Sequence, residues 1–211
     1  MKKLTTLLLI LVSVFMVGSA FAQFDLGADA VSRYVWRGAG FGTSPAIQPG
    51  ISYALGSLEI GAWASYSLAP DTSNGAENDL YISYSIGNLG ITLTDYYFPE
   101  SMDVFNYSDE DAIHILEASA SYGFGPASIL VAMNFSGDAD DSKYVEAGYD
   151  FYDKEGVTAG LSLGIGDGFY AADGDFALVS IGLTVAKDNL SASYIINPDT
   201  ETNFLVFGYS F

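Results

Sequence analysis

The sequence predicts an all-β fold: a closed, up-and-down antiparallel β-barrel of about twelve strands (ten to fourteen fit the pattern) that crosses a bacterial outer membrane. Three observations carry this. Apolar residues alternate with Gly, Ser and Thr in segment after segment; short turns alternate with long links; and half of the residues are hydrophobic although the chain carries a net charge of −19. Hydrophobicity at that level excludes disorder despite the acidity.

The closing segment shows the rule most plainly. Leu205, Phe207, Tyr209 and Phe211 occupy alternate positions, with Val206, Gly208 and Ser210 between them. Successive side chains of a strand point to opposite faces, so one face is large and apolar and the other mostly small. A helix would scatter the same residues around its circumference. The run 157–165 repeats the pattern, with Val157, Ala159, Leu161, Leu163 and Ile165 set against Thr158, Gly160, Ser162 and Gly164.

In order, the chain opens with a leader. Lys2 and Lys3 precede an apolar run over 4–17 and the small-residue site Ala20-Phe21-Ala22, which predicts an export signal over 1–22, cut after Ala22, ahead of a barrel over 23–211. The run is shorter than the ~20 residues of a spanning helix. Removing Lys2 and Lys3 from 7 basic residues leaves 5 against 26 acidic ones, a mature net charge of −21. That surface repels nucleic acid. The absence of cysteine excludes disulfides, thiolate metal sites and a cysteine nucleophile.

Period-two segments are then read at 26–36, 47–55, 58–66, 80–86, 91–97, 115–122, 127–135, 144–152, 157–165, 177–185, 190–196 and 202–211. Turn residues at 56–57, 87–88, 123–125, 153–156 and 187–189 suit hairpins. Between them lie longer links at 38–46, 70–78, 98–113, 136–143, 166–175 and 197–201. Short periplasmic turns and long external loops are the asymmetry of outer-membrane barrels. A soluble sandwich or lipocalin-type barrel would need bulky residues on its inner face, and here that face is Gly, Ser and Thr. Pro49 interrupts the second segment, and Asp95 falls on the apolar phase of Ile91 and Leu93, so a bulge would turn it inward and an unbroken strand would leave it at the interface.

With apolar residues outward, Asp25, Asp29, Arg33 and Arg37 all point inward from the first segment. Glu59, Asp79, Glu117, Glu146 and Asp150 point inward on the same phase, with Trp63, Tyr81 and Tyr144. Asp29, Arg33, Arg37, Glu59, Glu117, Glu146 and Asp150 are the candidate pore-lining residues. On one strand Arg33 and Arg37 stand about 13 Å apart at roughly 3.3 Å per residue, with Glu117 and Glu146 as partners for Arg33. These charges fit either a constriction in a channel or salt bridges that fill the interior.

The blocks Val31-Ser32-Arg33-Tyr34-Val35-Trp36-Arg37-Gly38, Pro45-Ala46-Ile47-Gln48-Pro49-Gly50 and Gly61-Ala62-Trp63-Ala64-Ser65 resemble the opening of the TorF-type porins. Asp95-Tyr96-Tyr97-Phe98-Pro99 and Leu116-Glu117-Ala118 resemble later blocks, so the likeness spans about the first half of the mature chain. It implies an outer-membrane barrel with a channel role and names no solute. That family often has Asn after its Trp-x-Ser block, where this chain has Tyr66.

His114 is the only histidine and shares the phase of Leu116 and Ala118, which places it at the rim, toward lipid headgroups, rather than in a hydrolytic site. The long links are acidic, and carboxylate oxygens suit divalent cations, but no EF-hand spacing occurs. The expectation is a non-enzymatic porin-like barrel passing small cationic or neutral solutes, without cofactor or dedicated metal. Its partners are outer-membrane lipids and lipopolysaccharide, with loosely bound divalent cations at the loops. The alternatives are a closed structural or surface-interaction barrel and a membrane-embedded lipid hydrolase.

Overall fold

Alternating side chains become a ladder in which every wall strand pairs with its sequence neighbour. A computed structural model describes residues 22–69, 76–99, 105–107 and 113–211. The strands are β1 (Ala22–Val31), β2 (Tyr34–Trp36), β3 (Ala39–Phe41), β4 (Ala46–Leu55), β5 (Leu58–Ser67), β6 (Glu77–Ile86) and β7 (Leu89–Tyr97). They continue as β8 (His114–Phe124), β9 (Ala127–Ser136), β10 (Lys143–Lys154), β11 (Val157–Gly166), β12 (Ala177–Lys187), β13 (Leu190–Asn197) and β14 (Thr202–Ser210). Twelve of these, β1 and β4 to β14, close into one antiparallel barrel; β2 and β3 form a separate two-stranded hairpin. The predicted leader lies outside the described residues, except that Ala22 is the first residue of β1.

The closing seam joins β1 to β14 through Asp29↔Ser210, Ala30↔Tyr209 and Val31↔Gly208. Backbone bonds from Ser32 N–H to Phe207 O and from Phe211 N–H to Ala28 O extend it by a step at each end. Closure removes strand edges, which hydrocarbon cannot solvate.

The outer surface is a belt of large apolar side chains. Leu26, Leu80 and Leu205 are 78%, 63% and 59% exposed, so no protein layer covers them. Patches of this extent do not suit water but suit lipid. The inner face is small where a bulky neighbour leans across it. A Cβ on Gly61 would lie 2.3 Å from the Tyr81 ring, and one on Gly164 would lie 2.1 Å from the Tyr144 hydroxyl. The Gly/Ser/Thr phase is thus the space into which a few inward aromatics fold.

One expectation is corrected, and one open alternative is decided. The segment read as one strand over 26–36 ends at Val31, and residues 34–41 leave the wall as the inner hairpin. At Asp95 the register runs unbroken through Leu80↔Asp95 and Asp95↔Leu116, so its side chain stays on the outer phase. The register shift falls one strand later, between Leu116 and Glu117 against β9.

Candidate functional site

The hairpin exists because Arg37 and Gly38 both adopt positive φ, 49° and 83°. That pair matches the two-residue turn whose twist suits a hairpin. It pairs Tyr34↔Phe41, Val35↔Gly40 and Trp36↔Ala39. Only glycine fits at 38, since a Cβ there would come within 1.9 Å of the Val179 carbonyl oxygen. Asn197 Nδ2 donates to the Gly38 carbonyl at 3.3 Å, so the hairpin tip is docked on β12 and β13.

Arg37 at the tip reaches β8, nearly opposite β1 in the barrel order. Its Nη1 donates to Glu117 Oε2 at 2.5 Å and its Nη2 to Oε1 at 3.0 Å. Nη1 also donates to the Tyr170 hydroxyl at 2.6 Å. Tyr96 and Tyr170 donate their hydroxyls to Glu117 at 3.2 and 3.4 Å. The guanidinium carbon lies 4.3 Å from the Trp36 ring centroid, 4.5 Å from Tyr144 and 5.3 Å from Tyr170. Only 9% of the Arg37 side chain and 3% of Glu117 are exposed. A buried pair tolerates desolvation when its geometry is bidentate and its remaining sites are bonded, and both conditions hold.

The electrostatics follow from this packing. Burial works against the Arg37 charge, but Glu117 outweighs it and holds the guanidinium above its ordinary range. Burial pushes the Tyr170 hydroxyl up to about 12, with Arg37 opposing. Tyr34, on the hairpin arm, donates to Glu77 Oε1 at 3.2 Å and rises for the same reason, burial first and then Glu77.

The hairpin therefore corrects the expected pairing of charges. Arg33 and Arg37 are not two levels of one wall strand. Glu117 holds Arg37, not Arg33, and Glu146 accepts the Tyr144 hydroxyl at 2.8 Å. Arg33 donates Nε to the Gly42 carbonyl at 2.8 Å and lies 5.3 Å over the Phe204 ring. Asp29 accepts from Ser210 Oγ at 2.6 Å, and Glu59 from the Tyr81 hydroxyl at 2.8 Å. Asp150 sits opposite Gly160 at the short-turn end, where a Cβ on that glycine would meet its carboxylate. Asp79 is 7% exposed, and its Oδ1 has no hydrogen-bond partner among the described residues.

Trp36, Tyr96 and Tyr170 belong to this site although the sequence did not single them out as lumen residues. Tyr96 was legible, since it follows the inward phase of Thr92 and Thr94. Tyr170 was not, because it enters from a 3₁₀ turn, Gly168–Tyr170, in the β11–β12 link. Phe169 N–H donates to Ser142 Oγ at 2.7 Å, which ties that turn to the β9–β10 loop. In that loop burial works against the Asp138 charge, but bonds from Ser142, Asn134 and the Asp140 N–H hold its carboxyl below the usual range.

Space remains on both sides of the latch. A cavity of about 490 Å³ lies toward the long loops, lined by Arg33, Thr43, Asn197, Thr200, Thr202 and Phe204. Another of about 350 Å³ lies toward the short turns, lined by Asp25, Asp29, Gln48, Ser52, Tyr81 and Ser210 among others. Among the described residues no group of three or more His, Cys, Asp or Glu is placed to hold a metal ion.

His114 is on the expected outer phase but is covered, at 4% exposure. Its Nδ1 lies 2.7 Å from Asp95 Oδ1, and its ring stacks between Tyr97 at 4.6 Å and Tyr107 at 4.1 Å.

Fold and site together define a closed twelve-strand barrel with an inward hairpin latched across its lumen. The chain belongs to a family of bacterial proteins of unknown function (Gcw_chp), whose model matches residues 18–210. No curated protein matches it. Among solved structures it is similar to a mutant of the Rh. blastica porin, with a TM-score of 0.45 and 10% identity, over 92% of this chain and 79% of that one.

Proposed function

We propose that this is an exported, non-enzymatic outer-membrane channel that passes small cationic or neutral solutes by diffusion and is held narrow at rest by its hairpin. The observation that carries the reading is the pair of cavities at opposite ends of the lumen, about 490 and 350 Å³, with the Arg37–Glu117 latch between them. A barrel filled for structure alone has no need of water-accessible space at both ends. The likeness of the opening blocks to the TorF-type porins supports the same reading.

Charge supports the solute class. Glu117 neutralises Arg37, and Asp25 and Asp29 line the inner cavity. Oriented carboxylates beside a narrow path raise the local concentration of cations. The second reading, a closed surface barrel, is favoured by the hairpin's packing: a bidentate ion pair beneath three aromatic rings resists thermal opening.

Planar-bilayer recording separates the two. The wild type is expected to conduct weakly or in brief openings, and Glu117→Gln, which removes the charge holding Arg37, is expected to raise the open fraction. Absence of conductance from both, in protein that has inserted, would establish the closed barrel instead.

A further inference from the structure

The belt has a dent, and its floor is made by unusually small residues. Along one row across the wall, Leu26 pairs with Ile51, Ile51 with Ala62, Ala62 with Leu80, and Leu80 with Asp95. Ala62 and Ala64 occupy outer positions that Leu, Ile or Tyr hold elsewhere. The β4–β5 ladder lacks the two pairs between Ile47↔Tyr66 and Gly50↔Trp63, its register unchanged, beside Pro49, which has no N–H to give it. The result is a cavity of about 550 Å³ on the outer face, reaching from Leu26 to His114. Its far end is polar: Asp95 and His114 pair there, and Tyr107 donates its hydroxyl to Asp95 Oδ2 at 2.9 Å.

An ionisable pair on the lipid side of a barrel is costly and calls for a reason. Tyr97 and Tyr107 shield this pair from the bilayer at one end of an apolar trough. From Leu26 to Asp95 the trough crosses four strand spacings, about 19 Å at roughly 4.8 Å each. One leaflet's share of a ~30 Å hydrocarbon core is about 15 Å, so the trough accommodates one chain laid along it. We propose that it is a lipid site: a single acyl chain of a zwitterionic lipid fills the trough, and its headgroup is held at the Asp95–His114 end. The Asp95 carboxylate at that end disfavours an acidic headgroup. The inference rests on the membrane setting proposed above and not on the channel role.

Brominated acyl chains quench tryptophan on contact, and this chain has two tryptophans. Neither reports on the trough: Trp36 is in the lumen hairpin, and the Trp63 ring faces inward onto that of Tyr34 at 5.6 Å. The full-length barrel with Trp36→Phe and Trp63→Phe therefore carries one reporter, Leu80→Trp at the trough or Leu205→Trp on the belt away from it, and is reconstituted in vesicles of brominated phosphatidylcholine or brominated phosphatidylglycerol. Quenching is expected to be stronger for Leu80→Trp than for Leu205→Trp, and more from the zwitterionic lipid. Ala62→Leu with Ala64→Leu, which fills the trough, is expected to abolish the difference. After detergent extraction, mass spectrometry of the intact protein is expected to find one retained lipid, with retention falling about tenfold in Asp95→Ala with His114→Ala. Mobility on unheated gels verifies that each variant is folded.

Quenching of Leu80→Trp no stronger than that of Leu205→Trp would overturn the site. So would quenching without a retained lipid, which is ordinary annular contact, while equal quenching by both lipids would overturn the headgroup assignment. Failure of the folded protein to enter vesicles at all would overturn the membrane reading together with this one.

Discussion

Arg37 concentrates the chemistry of the lumen in one side chain, and its energetics are asymmetric. Removing one member of a buried pair strands the other without water or counter-ion, at about 3–5 kcal/mol, whereas replacing both by apolar groups is often neutral. Arg37→Ala and Glu117→Ala are therefore each expected to lower stability to unfolding in detergent by about that amount. Arg37→Met with Glu117→Leu is expected to recover most of it; a double-mutant cycle by denaturant titration measures the difference. Asp138 gives a pH dependence at the same scale. Its carboxyl is held below the ordinary value, so its bonds contribute stability above the unfolded carboxylate pKa of about 3.9 and lose it as pH falls through the lower folded value. Asp138→Asn is expected to flatten that acid limb of the thermal unfolding curve while leaving neutral-pH barrel closure intact.

At the scale of elements, the hairpin separates what the sequence expresses from what it conceals. The barrel strands were legible because alternation is a local property, and eleven of the segments map onto wall strands with shifts of a few residues at their ends. The first did not, since 32–36 keeps the alternation of the wall. The only local sign of departure is Arg37-Gly38, which reads equally as the end of a strand. What decides it is distant: Val179 leaves no room for a side chain at 38, and Glu117 lies 80 positions away. Ladder continuity likewise decided Asp95, where an inward turn would have required a bulge that β6 and β8 do not supply. Gly38→Ala tests the hairpin as a unit. The added carbon meets the Val179 oxygen and takes a positive φ that alanine disfavours, so the tip is expected to lift from β12. Conductance is expected to rise, with gel mobility of the barrel unchanged.

For the whole molecule, the opposition between an apolar exterior and an acidic chain sets the expected behaviour. The belt is expected to partition the barrel into lipid and closure of the ladder to resist detergent, so the unheated protein is expected to migrate differently from the boiled protein. Recovery as a soluble monodisperse protein without detergent would contradict that. Within the inserted barrel the field is lopsided. Of the two arginines in the lumen, Arg37 is neutralised by Glu117, and no carboxylate lies within ion-pair distance of Arg33 among the described residues. Arg33 borders the outer cavity and Asp25 and Asp29 the inner one, so in the proposed channel an entering cation would meet one opposing charge and then a favourable gradient. The proposed channel is therefore expected to prefer cations, and since solvated charges are screened over about 10 Å at 0.1 M salt, the preference is expected to weaken as ionic strength rises. Arg33→Ala removes the opposing charge without touching the latch. It is expected to shift the reversal potential toward stronger cation selectivity, most visibly at low salt. A wild-type pore that prefers anions at low salt would show that Arg33, not the carboxylates, sets the field along the path.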